Sequence, residues 1–386
     1  MKIPRLPGLA DPQVRPDSAK ARWPFWNVKR QWIFSPGKYM ILYCVEGNPL
    51  KKILLLMTGG TISAKNTKNG LVPTFQGEEI LGYVPEVKTF CDVTTMQILN
   101  IDSSNIQPED WLLIARAIQN HYDLFDAFVI THGTDTMAYT SSALSYLIQN
   151  PAKPIVLTGS QKPIDQENTD ARQNIVDAFW FCVQPDISGV YLCFNGKVFV
   201  GTRASKVKSK SYDAFESINY PVAAYVHYKQ PVPRIHLGRQ ANKPVEFFDT
   251  INPRVFLLKL IPGMEPEILE YVGQRYDAIV IEGYGLGGVP FANGRNFLQW
   301  ADRLTPSGKI IAVATQVKTE GSDLSVYEVG IRMARRMPLL QSMDMTVETV
   351  VTKLMWILSK TKVFKEAEEL FYTPINEDIA IFPNHS

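Results

Sequence analysis

Short runs of apolar residues, each followed by a glycine-containing turn, recur along the chain from residue 51 onward. Residues 53–57 form the first run, which stops at Gly59 and Gly60, and residues 127–131 and 154–158 repeat the same form. Strands that are buried on both faces of a parallel sheet are continuously apolar in this way. We therefore predict a buried strand at each of the three positions.

Helical periodicity alternates with these strands. Residues 136–149 place apolar side chains at Met137, Leu144, Leu147 and Ile148, a spacing that predicts a helix. The same alternation of short apolar runs and longer periodic stretches continues through the second half of the chain. It lapses at 229–246, where proline, glutamine and lysine recur, and we place a domain boundary in this stretch, after residue 240.

Further strands and one long helix complete the predicted order of elements. We predict strands at 189–194, 255–260, 278–282 and 309–315 and a helix at 345–360. Strands that alternate with helices indicate an α/β fold with a largely parallel sheet. We expect a larger N-terminal α/β domain (49–240) with a central, mostly parallel sheet and a smaller Rossmann-like C-terminal α/β domain (241–386).

The first 48 residues differ from the rest of the chain. Prolines interrupt every periodic pattern, and tryptophan and phenylalanine cluster between positions 23 and 34. This composition predicts an irregular, extended or disordered arm. Alternatively, the aromatic residues anchor the arm to a partner surface, or translation begins at Met40 and most of the arm is not made.

Composition narrows the class of protein. The chain has 386 residues, which favours two domains, and a formal net charge of +2, which gives no reason to expect a nucleic-acid partner. No apolar run approaches the roughly 20 residues that span a bilayer, and the N-terminus lacks the pattern of a signal peptide. The four cysteines and five histidines show no metal-ligand spacing, and Cys182 and Cys193 lie in apolar surroundings. We expect a reduced, cytoplasmic protein without a metal, cofactor or membrane partner.

Three of the predicted strands end in turns rich in hydroxyl groups and glycine. Their sequences are Thr58-Gly-Gly-Thr61, Thr131-His-Gly-Thr-Asp135 and Thr158-Gly-Ser160. Ligands bind at the carboxyl ends of strands in open α/β sheets, and a threonine beside glycine N–H groups is a candidate nucleophile with an oxyanion hole. Lys206 is a candidate base, and Asp135 is placed to orient it or to hold a substrate ammonium. The alternative is that the turns merely end the strands.

The turn Gly283-Tyr-Gly-Leu-Gly-Gly288 matches the G-x-G-x-x-G pattern of dinucleotide-binding proteins. However, Pro290 delays the helix that should follow, and no acidic residue ends a second strand about twenty positions later. We therefore predict a tight turn here rather than a nicotinamide site.

Five motifs in this order resemble the bacterial-type L-asparaginases, and among them the cytosolic type I branch. They are Thr58-Gly-Gly-Thr-Ile62, Asp102-Ser-Ser104 before Pro108-Glu-Asp-Trp111, His132-Gly-Thr-Asp-Thr-Met-Ala-Tyr139, Thr158-Gly-Ser-Gln161 and Asp344-Met-Thr-Val-Glu348. The resemblance covers the chain from about residue 51 to its end. It implies hydrolysis of L-asparagine to L-aspartate and ammonia through a threonine nucleophile and an acyl-enzyme, without metal or cofactor.

The resemblance also implies a role for each site residue. Thr61 corresponds to the nucleophile, and Thr134, Asp135 and Lys206 to a second catalytic group, with oxyanion-stabilising N–H groups near Thr134. The residues that would bind substrate are Asp102, Ser103 and Ser104 at its α-amino and α-carboxylate groups, Asp135 at the amino group, and Ser160 at the side-chain amide. The sequence leaves open which threonine attacks in which half-reaction.

Two positions depart from the family pattern. Leu71 stands where many members carry a tyrosine whose hydroxyl contacts the nucleophile, so Thr61 would need another partner, for which Tyr284 is a candidate. Gly288 replaces the asparagine that usually ends the glycine turn of the C-terminal domain. These departures motivate one alternative function, a catalytically impaired regulatory protein.

The family resemblance extends to assembly and to a second alternative function. Members form homodimers or homotetramers, so a homo-oligomer is expected here. The alternative is an asparaginase-like subunit that supplies ammonia to a glutamyl-tRNA amidotransferase, although residues 1–48 are short for the separate N-terminal domain of that subunit.

Overall fold

The computed structural model describes residues 31–35, 38–42, 49–68, 70–238, 243–292 and 294–381. The chain divides into two compact units, Met1–Pro49 and Leu50–Ser386. In the first unit, strand β1 (Gln31–Ser35) pairs antiparallel with β2 (Lys38–Leu42). The composition predicts an irregular arm and gives no sign of this pair of strands. The remaining positions up to 48 lie outside the described residues.

The second unit contains two main sheets and their covering helices. Its strands are β3 (Lys52–Gly59), β4 (Ala64–Thr67), β5 (Gly70–Pro73), β6 (Asp92–Ile101), β7 (Ala127–Thr131), β8 (Ile148–Gln149), β9 (Pro154–Thr158), β10 (Gly189–Phe194), β11 (Lys197–Val200), β12 (Ala204–Lys206), β13 (Phe215–Ser217), β14 (Ala224–His227), β15 (Gln230–Pro233), β16 (Glu246–Phe247), β17 (Val255–Lys259), β18 (Ala278–Gly283), β19 (Ile310–Thr315) and β20 (Leu340–Gln341). Its α-helices are α1 (Gly77–Gly82), α2 (Pro108–His121), α3 (Met137–Leu147), α4 (Ala171–Cys182), α5 (Ile268–Gly273), α6 (Phe297–Leu304), α7 (Glu328–Arg336), α8 (Val347–Leu358) and α9 (Phe364–Tyr372).

The larger sheet has eight strands in the order β15-β14-β11-β10-β9-β7-β3-β6. The five strands from β10 to β6 are parallel, and β11, β14 and β15 extend the sheet antiparallel. Alternate residues of β3 enter different cores: Ile53 and Leu55 pack on the side of α1 and α4, whereas Leu54 and Leu56 pack on the side of α2 and α3. Burial on both faces explains the continuous apolar runs.

The smaller sheet is entirely parallel, in the order β17-β18-β19-β20. Helix α8 packs on one face through Val350 and Leu354, and α5, α6 and α7 pack on the other. Helix α8 also meets α3 of the larger domain, because the hydroxyl of Ser142 bonds to those of Thr349 and Thr352 at 3.1 and 2.8 Å. The α/β fold with a larger, mostly parallel sheet and a smaller Rossmann-like C-terminal sheet is therefore confirmed.

The apolar pattern locates the buried strands well and the exposed ones poorly. β7, β9 and β10 match the predicted bounds, and β17, β18 and β19 match them to within one residue. Strand β6 was not predicted, because it is an edge strand whose positions are all half-exposed or exposed, including the polar residues Thr94, Thr95 and Gln97. The antiparallel strands β14 and β15 were also missed, and the boundary placed at 240 falls within 239–242, outside the described residues.

The glycine turn at 283–288 and two of the cysteines agree with what the sequence predicts. In the turn at 283–288, the N–H groups of Gly287 and Gly288 donate to the carbonyl oxygen of Tyr284 at 2.9 and 2.7 Å, which confirms a tight turn. Cys182 and Cys193 are free and buried, as expected. Among the described residues, no group of histidine, cysteine and acidic side chains is arranged to hold a metal ion. No helix in the same part of the chain is long and apolar enough to cross a membrane.

Candidate active site

The carboxyl ends of β3, β7 and β9 bring the three predicted loops into direct backbone contact. Gly60 lies so close to Gly133 that a methyl group on Gly60 would overlap the Gly133 backbone. A methyl group on Gly159 would likewise overlap the carbonyl oxygen of His132. Gly60 also has a φ of 77°, a left-handed value that favours glycine. The glycines of these motifs therefore permit a contact of main chain on main chain that no other residue allows.

Lys206 joins the second loop to strand β12. Its Nζ donates hydrogen bonds to Thr134 Oγ1 at 2.8 Å and to Asp135 Oδ1 at 2.6 Å. The Lys206 side chain is only 16% exposed, whereas the Asp135 side chain is 61% exposed. The hydroxyl of Thr134 in turn donates to Gln161 Oε1 at 3.3 Å. The structure thus brings together the hydroxyl, the amine and the carboxylate that the family resemblance groups as one unit.

The segment Asp102–Ser104 follows β6 and lies against the second loop. The Asp102 carboxylate accepts hydrogen bonds from the Ser104 hydroxyl at 2.6 Å and the Ser104 N–H at 2.8 Å. These two bonds, the hydroxyl first, hold the pKa of Asp102 below its ordinary value, so this carboxylate is ionised at neutral pH. Ser103 Oγ accepts from the N–H of Asp135 at 3.3 Å, and the Ser103 carbonyl oxygen accepts from the Thr136 hydroxyl at 2.7 Å.

Asp170 fixes the third loop, a role that the sequence reasoning missed. Its carboxylate accepts from the N–H groups of Gln161 and Lys162 and from the side-chain amide of Asn174, at distances of 2.8, 3.1 and 3.2 Å. Burial raises the pKa of Asp170 despite these bonds. Ser160, which this turn positions, is buried and donates its hydroxyl to the Lys162 carbonyl. The sequence signal for this role was the pair Asp170 and Asn174, two polar residues one helical turn apart at the start of the apolar helix α4.

The second domain holds the strand that carries Lys206. Arg203 is fully buried and donates through Nη1 to the carbonyl oxygen and the carboxylate of Asp344 at 2.9 and 3.0 Å. Ser205 Oγ donates to Glu348 Oε1 at 2.8 Å. Asp344 and Glu348 are the ends of the late motif that carried the resemblance, so this motif supports the site from beneath. Its physical role was not predicted from the sequence.

Residues near position 377 complete this support. The Thr202 hydroxyl donates to the Asn376 carbonyl oxygen at 2.6 Å, and Arg203 Nε donates to the Glu377 carbonyl oxygen. Asp378 forms a second buried ion pair, with Lys353 at 2.6 Å. The strand β12 is therefore clamped by segments that lie more than 130 positions later in the chain.

Thr61 begins the 3-10 helix Thr61–Ser63 and is partly exposed at the site. Within the described part of the chain its hydroxyl forms no hydrogen bond. The backbone of Leu71 lies in β5, but its side chain is outside the described residues. The hydroxyl of Tyr284 is buried without a hydrogen-bond partner among the described residues, so the contact with Thr61 that the sequence suggested is not formed.

His132 belongs to the second loop, and its side chain is completely buried beneath it. Its Nδ1 lies 2.7 Å from the carbonyl oxygen of Gly133, and its Nε2 lies 2.9 Å from the hydroxyl of Thr140. Burial lowers the pKa of His132 to about 4, against smaller opposing effects of the Gly133 hydrogen bond and of Asp110. The imidazole is therefore neutral throughout the physiological range.

Comparisons with known proteins match almost the whole second unit. A family model described as "Asparaginase, N-terminal" matches residues 52–236, and one described as "Glutaminase/Asparaginase C-terminal domain" matches residues 254–371. An L-asparaginase of Thermococcus kodakarensis is 42% identical over 329 residues, which are 85% of this chain and 99% of that protein. One subunit of the glutamyl-tRNA(Gln) amidotransferase of Methanococcus maripaludis is 34% identical over 352 residues, 87% of this chain and 82% of that protein.

Solved structures give the same result. The thermostable L-asparaginase from Thermococcus kodakarensis superposes with a TM-score of 0.81 at 41% identity, covering 86% of this chain and all of that one. A probable cytoplasmic L-asparaginase from Campylobacter jejuni superposes with a TM-score of 0.72 at 25% identity, covering 83% of this chain and 99% of that one. The similarity thus includes both domains and the loops between them.

Replacing Asp344 by alanine should lower the free energy of unfolding by about 3–5 kcal/mol, because it leaves the Arg203 guanidinium buried without its counter-charge. Urea denaturation of the purified chain measures this loss. The control is Glu328→Ala, which breaks an exposed pair with Arg332 and should cost no more than about 0.5 kcal/mol. Equal losses in the two variants would contradict the assigned role of the buried pair.

His132 should make the protein less stable in mild acid. The pKa of a histidine in the unfolded chain is about 6.5, whereas the pKa of His132 in the folded chain is about 4. As the pH falls from 6.5 to 4, only the unfolded state binds the extra proton, so up to about 3 kcal/mol of stability is lost. In His132→Asn this loss should vanish, and the other titrations cancel in the difference between the two chains. If the unfolding free energies of the unmutated chain and of His132→Asn changed in parallel between pH 6.5 and 4.5, the pKa of His132 would be that of an ordinary histidine, and the prediction would be wrong.

Proposed function

Because the chain belongs to the asparaginase family, we propose that it is an amidohydrolase that converts L-asparagine to L-aspartate and ammonia by acyl transfer through a threonine. Both domains of the family are matched, over residues 52–236 and 254–371. The observation that carries the proposal is the arrangement of Lys206, which bonds to Thr134 and Asp135 while the loop of Thr61 rests on Gly133.

In the first half-reaction, the oxygen of Thr61 attacks the carbonyl carbon of the substrate's side-chain amide. A C–O bond forms, the C–N bond then breaks, and the threonine proton leaves with the ammonia. The oxyanion that develops on the carbonyl oxygen is stabilised by backbone N–H groups near Thr134. Dividing one difficult substitution into two easier ones is the benefit of the covalent intermediate.

In the second half-reaction, water attacks the β-aspartyl ester and releases aspartate and the free threonine. Thr134, Lys206 and Asp135 form the polar group available for this proton transfer, because their oxygen and nitrogen atoms are already hydrogen-bonded in a row. The same group would serve equally if Thr134 attacked in one of the two steps.

The remaining site residues fit the ends of an amino acid. Asp102 is ionised and presents a negative charge for the α-ammonium group, with Asp135 as a second carboxylate. Ser103 and Ser104 are proposed to hold the α-carboxylate, and the buried turn at Ser160 the side-chain amide. An amino acid carries both charges, so a site with this distribution selects free asparagine rather than an uncharged amide.

Assembly and location are proposed from the family as well. We expect a homodimer or homotetramer, with no nucleic acid or membrane as a partner. A cytoplasmic location is supported by the three free, buried cysteines of the described chain and by the similar protein of Campylobacter jejuni that is named as probably cytoplasmic.

A second candidate is the ammonia-producing subunit of a tRNA-dependent amidotransferase. It is favoured by the 34% identity to such a subunit over 87% of this chain. The higher identity to an L-asparaginase, 42% over nearly all of that protein, favours independent hydrolysis.

Thr61→Ala and Thr134→Ala should each lower kcat for ammonia release from asparagine, by on the order of 10⁴-fold, because neither half-reaction proceeds without its hydroxyl. Lys206→Met should lower kcat by about 10²–10⁴-fold through loss of the proton acceptor. Thr89→Ala, which removes an exposed hydroxyl elsewhere in the domain, is the control and should retain full activity. An unmutated chain that releases no ammonia, or threonine variants as active as the control, would rule out the mechanism.

The two candidate functions differ in their need for tRNA. The purified chain alone should hydrolyse asparagine at the same rate with and without tRNA, because all of the proposed catalytic residues belong to this chain. Ammonia release that depends on tRNA, or on a co-purified second protein, would favour the amidotransferase instead.

A further inference from the structure

The N–H groups of the second loop are nearly all engaged by protein. The His132 N–H donates to the Thr158 carbonyl oxygen at 2.8 Å, and the Asp135 N–H donates to Ser103 Oγ at 3.3 Å. The Gly133 nitrogen is covered by Gly60. Within the described part of the chain, the N–H of Thr134 donates no hydrogen bond. A main-chain N–H left over in a closely packed loop needs an explanation, because such groups are almost always paired.

The direction of this N–H is set by the carbonyl group to which it is joined. The Gly133–Thr134 peptide is trans, so its C=O and N–H bonds point in opposite directions. The carbonyl oxygen of Gly133 is directed toward the core, where His132 Nδ1 lies 2.7 Å away. The N–H of Thr134 therefore points away from His132.

The proton on Nδ1 follows from the group that faces it. A carbonyl oxygen can only accept, so the 2.7 Å contact between Nδ1 and the Gly133 carbonyl requires the proton on Nδ1. In a neutral imidazole Nε2 is then bare, and it accepts from the Thr140 hydroxyl 2.9 Å away. Thr140 Oγ1 in turn accepts from the indole Nε1 of Trp111 at 3.0 Å. Trp111, Thr140 and His132 are all buried, so water does not compete for these bonds.

We propose that His132 is a positioning residue, which holds the Gly133 carbonyl from below and so turns the Thr134 N–H toward the reacting carbonyl as a ready oxyanion donor. The Thr140 hydroxyl, which also accepts from Trp111, supports this arrangement by giving the bare Nε2 a donor. The inference rests on the proposed function for its catalytic part, whereas the hydrogen-bond chain stands on geometry alone. The buried histidine, which touches no substrate, is thereby linked to the stabilisation of the transition state.

Two substitutions at His132 separate this role from simple packing. In His132→Asn the side-chain amide can place a donor near the position of Nδ1, whereas in His132→Gln the amide reaches only toward the position of Nε2. Both remove the ring, so a packing defect would affect them alike, and thermal unfolding of each checks the fold. We expect kcat for ammonia release to fall about 100-fold in His132→Gln, with KM changed less than about twofold, because an oxyanion donor acts on the transition state. His132→Asn should retain at least about a tenth of the original kcat.

The tautomer of His132 can be measured independently of enzymatic activity. In the unmutated protein, ¹⁵N NMR of the His132 ring should show a protonated Nδ1 and a bare Nε2. In Thr140→Val, which keeps the ring but removes the hydroxyl, Nδ1 should stay protonated on the Gly133 carbonyl, and kcat should fall much less than in His132→Gln.

The outcomes decide separately on the inference and on the proposed function. Ammonia release by a chain whose Nε2 is protonated, equal kcat losses in the Asn and Gln variants, or a loss found only in KM would overturn the inference and leave the function standing. A protein with protonated Nδ1 that releases no ammonia would refute the proposed function and the oxyanion role together, and would leave only the hydrogen-bond chain.

Discussion

The buried ion pair of Arg203 and Asp344 is the constraint on which the site depends. Moving a guanidinium and a carboxylate out of water costs several kcal/mol for each ion, and this is offset only when their geometry and their other hydrogen bonds are nearly complete. Here the guanidinium also meets the main-chain carbonyls of Asp344 and Glu377, and among the described residues only its Nη2 lacks a partner. Few arrangements of the two sheets satisfy both charges, so the pair favours a single arrangement. Lys206 lies three residues after Arg203, and the pair thereby helps to place its side chain beside Thr134.

On the other side of the site, precision comes from main chain rather than from charge. Gly60, Gly133 and Gly159 allow three strand ends to stack without side chains between them, and Ser103 fills the space above Gly133. The proposed threonine nucleophile would be a weak one, so its placement within a few tenths of an ångström of the reacting carbonyl would matter greatly. Backbone contacts provide such placement because they have no rotamers to lose. A buried ion pair thus fixes the side of the site that carries Lys206, and backbone packing fixes the side formed by the glycine loops.

Features of the fold and of the site that arise from a short stretch of sequence could be predicted, whereas those that depend on distant contacts could not. The doubly buried strands and the glycine turns at their ends are local patterns, so β7, β9 and β10 were located to the residue. The grouping of Thr134, Asp135 and Lys206 came from resemblance, because no spacing in the chain shows that β12 passes beside β7. The roles of Asp170 and Asp344 were not foreseen, since one holds the N–H groups of a neighbouring loop and the other pairs with the guanidinium of Arg203, far away in the sequence. Strand β6 was missed because it has no fully buried position.

The contacts of Thr202 and Arg203 with Asn376 and Glu377 also bear on biosynthesis. A ribosome makes the two threonine loops and Lys206 well before it makes the segment that clamps them, and several tens of residues more are hidden in its exit tunnel. A nascent chain therefore carries these side chains without a rigid frame for them until the segment of Asn376 and Glu377 has left the tunnel. Activity would then require this segment, and a chain broken off before it would be inert rather than a consumer of free amino acid.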